Sequence, residues 1–360
     1  MAVAAIAFII VLSAVVMAHE LGHYIAARRA GIRVESVSLG FGKVLLRRRD
    51  RNGTEWRVSL IPLGGYAGLY GQSDVPEDPE KKAAFMAKLS PRKRAEHFES
   101  KTRGQKAMAI FAGPLANYIL ALVVFFGLFL FAGVREPRAK IINVEPGTPA
   151  YVAGLKPGDE VVSIAGRALS RGADIAGIVN AAPPAAPIEI GFRRGEAESS
   201  LAITPQYDAE AGRYRLGFSY GAAAGRRPVG FFEAAQAAGG EVWRISAGTA
   251  RALGEMIIGR RSAGELGGFI TIAKASGNAL EGGLYQFFYI IAFLSVSLGL
   301  FNLFPIPMLD GGYLFIYLLE ALRGRDFSAR VKARMFNAGF AAVILVMALA
   351  NFNDIARLFK

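Results

Sequence analysis

Residues 2–27 read AVAAIAFIIVLSAVVMAHELGHYIAA, an apolar run interrupted only by His19, Glu20 and His23. About 20 apolar residues suffice to carry a helix across the hydrocarbon core of a bilayer. The run is longer than a signal-peptide core and has no basic stretch before it, so it reads as a retained span. Three further runs of this kind follow, at 105–133, 286–304 and 336–352. The chain has 360 residues, 53% hydrophobic and 20% charged, with a mean hydropathy of +0.33. That composition excludes an ordinary soluble enzyme, a disordered chain and a coiled coil. The expected fold class is a polytopic α-helical membrane protein with four transmembrane helices.

Charge distribution sets the expected topology. The net charge is +13. Segment 28–106 holds 18 Lys and Arg against 9 acidic residues, segment 134–285 holds 17 against 15, and the short 323–335 loop holds five. By the positive-inside rule the two basic segments face the cytoplasm, and the longer, nearly neutral one lies outside with both termini. The basic excess therefore reads as topology and contact with the lipid bilayer, with no nucleic-acid role. Cysteine is absent, which removes disulfides, thiolate metal sites and a cysteine nucleophile.

Between the spans the sequence marks smaller units. Residues 28–104 form a cytoplasmic loop containing a membrane-associated β-hairpin over about 37–71. Residues 44–48 and 54–61 flank Asp50-Arg51-Asn52-Gly53, whose Asn-Gly supplies the φ > 0 positions of a tight turn. Residues 73–104 read as a surface helix and linker, with His97 a surface histidine. After the span at 105–133, residues 138–206 read as an external α+β domain. Strands are expected at 161–164 and 188–192, around a helix near 172–180, and Ala153-Gly154-Leu155-Lys156-Pro157-Gly158-Asp159 resembles the bacterial PDZ signature. Residues 207–285 read as a linker with an amphipathic helix over 229–261. The third span, 286–312, a cytoplasmic segment, 313–335, and the fourth span, 336–352, complete the chain.

His19-Glu20-Leu21-Gly22-His23 is an H-E-x-x-H motif. Residues four apart on a helix share one face, so both imidazoles reach one tetrahedral Zn2+, while Glu20 stands beside it as a proton acceptor. Ionisable residues within a span are costly and mark function. A catalytic zinc takes a third protein ligand. With no cysteine and His97 in a polar loop, the candidate is Asp310. It lies in Asn302-Leu303-Phe304-Pro305-Ile306-Pro307-Met308-Leu309-Asp310-Gly311-Gly312, where prolines and glycines break the third span. Spans one and three run in the same direction, which brings His19, His23 and Asp310 to the cytoplasmic side.

Together these motifs resemble the site-2 protease family of intramembrane zinc metalloproteases, and within it the bacterial regulator-of-sigma-E branch. H-E-L-G-H, the Pro62-Leu63-Gly64-Gly65-Tyr66 end of the hairpin, Gly113-Pro114-Leu115-Ala116-Asn117, the PDZ region and N-x-x-P-x-P-x-L-D-G-G carry the resemblance in that order. It implies a zinc metalloendopeptidase with His19, His23 and Asp310 as metal ligands and Glu20 as catalytic base. Asn302, Pro305 and Pro307 would position substrate backbone, and the hairpin would offer an edge to an unwound substrate. The implied setting is a multi-pass protein of the bacterial inner membrane with a periplasmic PDZ domain. Its substrates would be single-span membrane proteins cut in regulated intramembrane proteolysis, such as a pre-cleaved anti-sigma factor. The PDZ region would bind a substrate C-terminus or exclude uncut ectodomains. Two departures stand out: space for one PDZ domain where the branch carries two, and Gly267-Gly268 where Gly-Pro is common. The alternative is a non-proteolytic membrane scaffold that recruits partners through the PDZ domain, although such a relative would be expected to lose Glu20 or Asp310.

Overall fold

The computed structural model describes residues 2–72, 79–169, 175–181, 186–208 and 213–359. The chain divides into two compact units, Met1–Leu128 with Ala235–Lys360, and Phe129–Ala234. It opens with α1 (Ala2–Arg29), β1 (Val34–Arg49), β2 (Glu55–Leu69), α2 (Pro79–Lys88), α3 (Pro91–Glu96) and α4 (Arg103–Ala132). Then come β3 (Val134–Val144), α5 (Pro149–Val152), β4 (Glu160–Ile164), β5 (Arg167–Ala168), α6 (Ile175–Ala181), β6 (Ile188–Arg194), β7 (Ala197–Ile203), β8 (Gln206–Asp208), β9 (Arg213–Arg215) and β10 (Phe218–Arg227). Five helices close the chain: α7 (Phe231–Ile257), α8 (Phe269–Glu281), α9 (Leu284–Asn302), α10 (Asp310–Arg323) and α11 (Ala329–Ala356).

In the first unit, α1 packs against β1, β2, α8 and α9. Ala7, Val11 and Val15 of α1 meet Phe287 and Ile291 of α9. Towards its C-terminal end, Ala27 joins Ile32, Val34, Val37, Leu69, Phe98 and Ile110 in a second core. Four helices, α1, α4, α9 and α11, are long and apolar enough to cross a membrane. Their outer faces stay apolar: Ile9 and Ile10 on α1, Ile119 and Val123 on α4, Ile344 and Leu345 on α11 are all exposed. Continuous apolar faces of this extent mark contact with something other than water.

The third apolar run does not continue to 312. Its helix stops at Asn302, and Asp310 starts a new one, because the two prolines cannot sustain the helical hydrogen bonds. Residues 313–335, the expected cytoplasmic segment, hold most of α10. The 207–285 stretch is also more ordered than a linker with one helix. It contributes β10 and a second helix, α8, whose N-terminal residue Gly268 has no side chain with which to cap it. The cap comes from a distance: Asp354 of α11 accepts from Thr271 N at 2.9 Å and from the Thr271 hydroxyl.

The hairpin is larger than its most regular residues suggest. The segments 34–39 and 65–69 pair antiparallel at one end, and 44–49 pairs antiparallel with 55–59 at the other. The 36–39 segment also has partners at 55–58, so two bent strands supply four neighbouring segments. At the tip only Gly53 takes positive φ (84°), and Gly53 N donates to Asp50 O at 3.1 Å. That is a type I turn closed by a left-handed glycine, not a two-residue Asn-Gly turn. The reason is Asp50, whose Oδ1 accepts from Asn52 N (2.8 Å) and Thr54 N (3.0 Å) and stabilises the longer loop. Phe41, Leu45, Leu46, Leu60 and Ile61 are exposed on this sheet.

His97 is buried rather than at the surface. Its Nδ1 accepts from Glu99 N at 3.2 Å, capping a short 3-10 turn, and its ring meets Tyr70 edge-on. Tertiary packing of the loop against the hairpin encloses it, which a polar sequence context does not reveal.

The second unit is built on a sheet of order β10-β3-β4-β6-β7, with β5 paired to β4. Ile188, Ile190 and Phe192 alternate inward along β6 and pack with Ile141, Val161 and Ile164. The sheet of this unit runs past 138–206 at both ends. β3 begins at Val134, and β10 pairs with it along its length, from Phe218↔Val144 to Arg227↔Val134. The Gly221–Gly225 part of β10 has no apolar alternation to betray a strand. The expected helix near 172–180 is α6, with 170–174 outside the described residues. Asp159, the last residue of the PDZ-like signature, is buried and accepts from Lys156 N (2.8 Å) and from Arg194 Nε and Nη2 (2.7 Å each).

Burial pushes the Asp159 carboxyl up, but Arg194 and the Lys156 N–H outweigh it and hold the group below the usual aspartate range. A depressed folded pKa stabilises at neutral pH, and that contribution is lost as pH falls through the folded value. Asp159→Asn should therefore reduce hydrogen-exchange protection of β4 and β6 by about 1–2 kcal/mol at pH 7. The difference from wild type should shrink once the pH drops below about 4. A difference independent of pH would show that the ion pair is not its source.

Candidate metal centre

His19 and His23 project from one face of α1, one turn apart, and both are more than nine-tenths buried. Asp310 opens α10. Its Oδ2 lies 3.1 Å from His19 Nε2 and 3.5 Å from His23 Nε2, and the two Nε2 atoms are 3.1 Å apart. These residues form the one metal-ligand cluster of three or more among the described residues. The helix N-terminus beneath Asp310 favours its negative charge.

The trio fits a zinc ion. Tetrahedral coordination at about 2.0–2.1 Å gives ligand–ligand edges of about 3.3–3.4 Å, and the three separations bracket that length. His23 Nδ1 donates to Ala109 O of α4 at 3.0 Å. A carbonyl only accepts, so the proton sits on Nδ1 and the neutral ring turns the Nε2 lone pair inward. Asp310 Oδ2 is buried without a hydrogen-bond partner. A buried carboxylate oxygen facing imidazole lone pairs is costly unless a cation lies among them.

Glu20 stands beside this cluster without joining it. Its carboxylate receives a hydrogen bond from the Ala67 backbone of β2, and Gly65 passes so close that a Cβ there would lie 3.3 Å from Glu20 Cγ. The inner end of the hairpin thus runs along the acidic side of the site.

Asp310 is held by the broken connection before it. Met308 takes a positive φ of 89°, rare for a residue with a side chain, and it turns the chain into α10. Gly311 and Gly312 let that helix press against the loop: a Cβ would come within 2.3 Å of the Leu303 carbonyl and 2.2 Å of Ile306 O respectively. Asn302 is half-buried at the end of α9, Pro305 is exposed and Pro307 half-buried. Asn302 precedes the connection that carries Asp310, Pro305 and Pro307 lie within it, and none of the three joins the ligand trio.

α4 contributes to the site through Gly113-Pro114-Leu115-Ala116-Asn117, a stretch whose residues carry no metal-ligand or acid–base signal in the sequence. A Cβ on Gly113 would sit 2.3 Å from His23 Nε2, and one on Gly22 of α1 would sit 2.1 Å from Ala112 O. The two helices meet through small residues, as closely packed apolar helices do. Pro114 also removes one helical hydrogen bond beside Ala109 and Ile110. Asn117, fully buried, places its amide 3.2 Å from His19 Nδ1.

A family model described as peptidase family M50 matches residues 7–346. The chain is 35% identical over 372 residues to a protein of Rhizobium meliloti whose name describes it as a zinc metalloprotease, covering 98% of this chain and 96% of that one. It is 35% identical over 379 residues to metalloprotease MmpA of Caulobacter vibrioides, covering 98% and 95%. With protease RseP of Yersinia pestis it shares 28% identity over 455 residues, covering 98% of each. A PDZ domain of an SdrC-like protein from Listeria monocytogenes aligns with 23% of this chain and 85% of its own length, at 17% identity and a TM-score of 0.21. The chain belongs to peptidase family M50, a family of intramembrane proteases. It is a zinc-dependent metalloprotease.

Gly113→Ala tests the close approach. Alanine favours a helix over glycine by about 1 kcal/mol, so α4 itself should not suffer. The added methyl falls where His23 Nε2 now lies. Zinc affinity, measured by chelator competition, should fall at least about tenfold while helix content by circular dichroism holds. Wild-type affinity would show that the ring has room to move.

Proposed function

We propose that the chain hydrolyses peptide bonds of single-span membrane proteins within the bilayer, with His19, His23 and Asp310 holding zinc and Glu20 acting as general base. The observation that carries this reading is the convergence of two imidazole nitrogens and a carboxylate oxygen within 3.5 Å, next to a carboxylate that stays outside the cluster. Zinc bound there supplies Lewis acidity towards a carbonyl oxygen and towards water. Glu20 takes the proton from the attacking water at its carboxylate and passes it to the leaving amine.

A helical substrate hides its carbonyls in its own hydrogen bonds, so it must unwind before attack. The 65–69 segment suits the capture of the unwound strand. It pairs with 34–39 on one side, and its Gly65 and Ala67 lie against Glu20, so a strand added there runs past the catalytic carboxylate. Asn302, Pro305 and Pro307, at and just after the end of α9 and ahead of Asp310, position substrate backbone. α1, α4, α9 and α11 cross the bacterial inner membrane with the basic loops in the cytoplasm, the active site near that side and the second unit in the periplasm. There the second unit acts as a PDZ domain that binds a newly made C-terminus or excludes uncut ectodomains. A pre-cleaved anti-sigma factor is a substrate of the right form.

Glu20→Gln should lower the cleavage rate of a single-span test substrate by about 10²–10⁴-fold and leave zinc bound. His23→Ala and Asp310→Ala should lose zinc and cleavage together. Undiminished cleavage by Glu20→Gln would remove it as the base, and full zinc in Asp310→Ala would place the third ligand elsewhere.

A further inference from the structure

α4 donates no atom to the ligand trio, yet it stands behind both histidine rings. Behind His23 it presents the Ala109 carbonyl, which accepts the Nδ1 proton and settles the tautomer. Behind His19 it presents Asn117, two helical turns further along the same stripe, with the amide end placed as Nδ2 3.2 Å from Nδ1. An amide offers two donors at one end and an acceptor at the other, and the ring accepts or donates accordingly. Asn117 Oδ1 is buried with no hydrogen-bond partner. Buried amide oxygens are hydrogen-bonded in folded proteins, and the ends of an asparagine amide are assigned from its surroundings. Exchanging the two ends of the amide brings Oδ1 to that 3.2 Å position, where an Nδ1–H on His19 satisfies it.

We propose that Asn117 is a positioning residue of the metal centre, its side-chain oxygen accepting the His19 Nδ1 proton and so leaving Nε2 as the metal-binding atom. The inference rests on the reading of His19 as a ligand. Both histidines then carry the same tautomer, one fixed by a main-chain carbonyl of α4 and the other by a side-chain carbonyl. Asn117 is itself anchored. Ser295 Oγ of α9 donates to Asn117 O at 2.9 Å, and both residues are fully buried. α9 comes close because Gly299 faces Pro114 O and Tyr118 across the contact. The orientation of His19 is therefore tied to α9, whose C-terminal end leads into the connection that carries Asp310. One asparagine links the two halves of the ligand set.

The test compares zinc affinity by chelator competition in detergent-purified full-length wild type, Asn117→Leu, Asn117→Asp and His19→Ala, with the melting temperature of each metal-free protein. Leucine keeps the volume and removes the acceptor, so affinity should fall about 10–100-fold. Aspartate accepts but cannot donate, so affinity should return to within a few-fold of wild type. Packing alone would lower the melting temperature of Asn117→Leu and leave its zinc affinity unchanged, which would overturn the proposal. Asn117→Asp as weak as Asn117→Leu would also overturn it, because the amide would then be needed as a donor. A wild type without zinc, or undiminished affinity in His19→Ala, would remove His19 as a ligand, and the inference with it.

Discussion

Two imidazole nitrogens and a carboxylate oxygen lie within 3.5 Å of one another in a buried setting, and their lone pairs repel unless a cation sits among them. Much of the surrounding structure is a means of holding them there. The H-E-x-x-H spacing places both rings on one face of α1. The broken connection after α9 ends the helix early enough for Asp310 to begin another beside them. The strained backbone at Met308 and the glycine pair after Asp310 are consequences of bringing a third ligand into an apolar helical frame.

The frame itself depends on close helix approach. Gly22 lets α1 lie against the backbone of α4, and Gly113 leaves the space that His23 fills. A larger residue at Gly113 would act on the ligand geometry directly, with its Cβ 2.3 Å from His23 Nε2, and one at Gly22 would press on the α4 backbone. The hairpin completes the enclosure by running Gly65 and Ala67 along Glu20. The base on α1 and the β2 segment suited to receive an extended chain therefore lie side by side.

What was legible in the sequence was what depends on local pattern. Long apolar runs announce long helices whatever they pack against, and histidines and a carboxylate within such runs have few roles besides chemistry. Less legible were features decided by distant contacts. β10 contains a run of alanines and glycines that becomes a strand only because β3 lies beside it. α8 lacks a cap of its own and takes one from Asp354, 83 residues further along. His97 sits in a mostly charged and polar stretch that suggests solvent, while its neighbours in space are Tyr70 and Phe85. Asn117 was visible as part of a motif, but its relation to His19 spans 98 residues and needs the packing of α1 on α4.

The central claim is that one zinc ion is held jointly by α1 and the start of α10. X-ray absorption at the zinc edge, recorded on the purified full-length protein and on Asp310→Ala, tests it most directly. The account predicts two imidazole shells and oxygen scattering at about 2.0–2.1 Å in four-coordinate geometry, with oxygen scattering reduced or zinc lost in the variant. A spectrum without imidazole scattering, or one unchanged by Asp310→Ala, would contradict it.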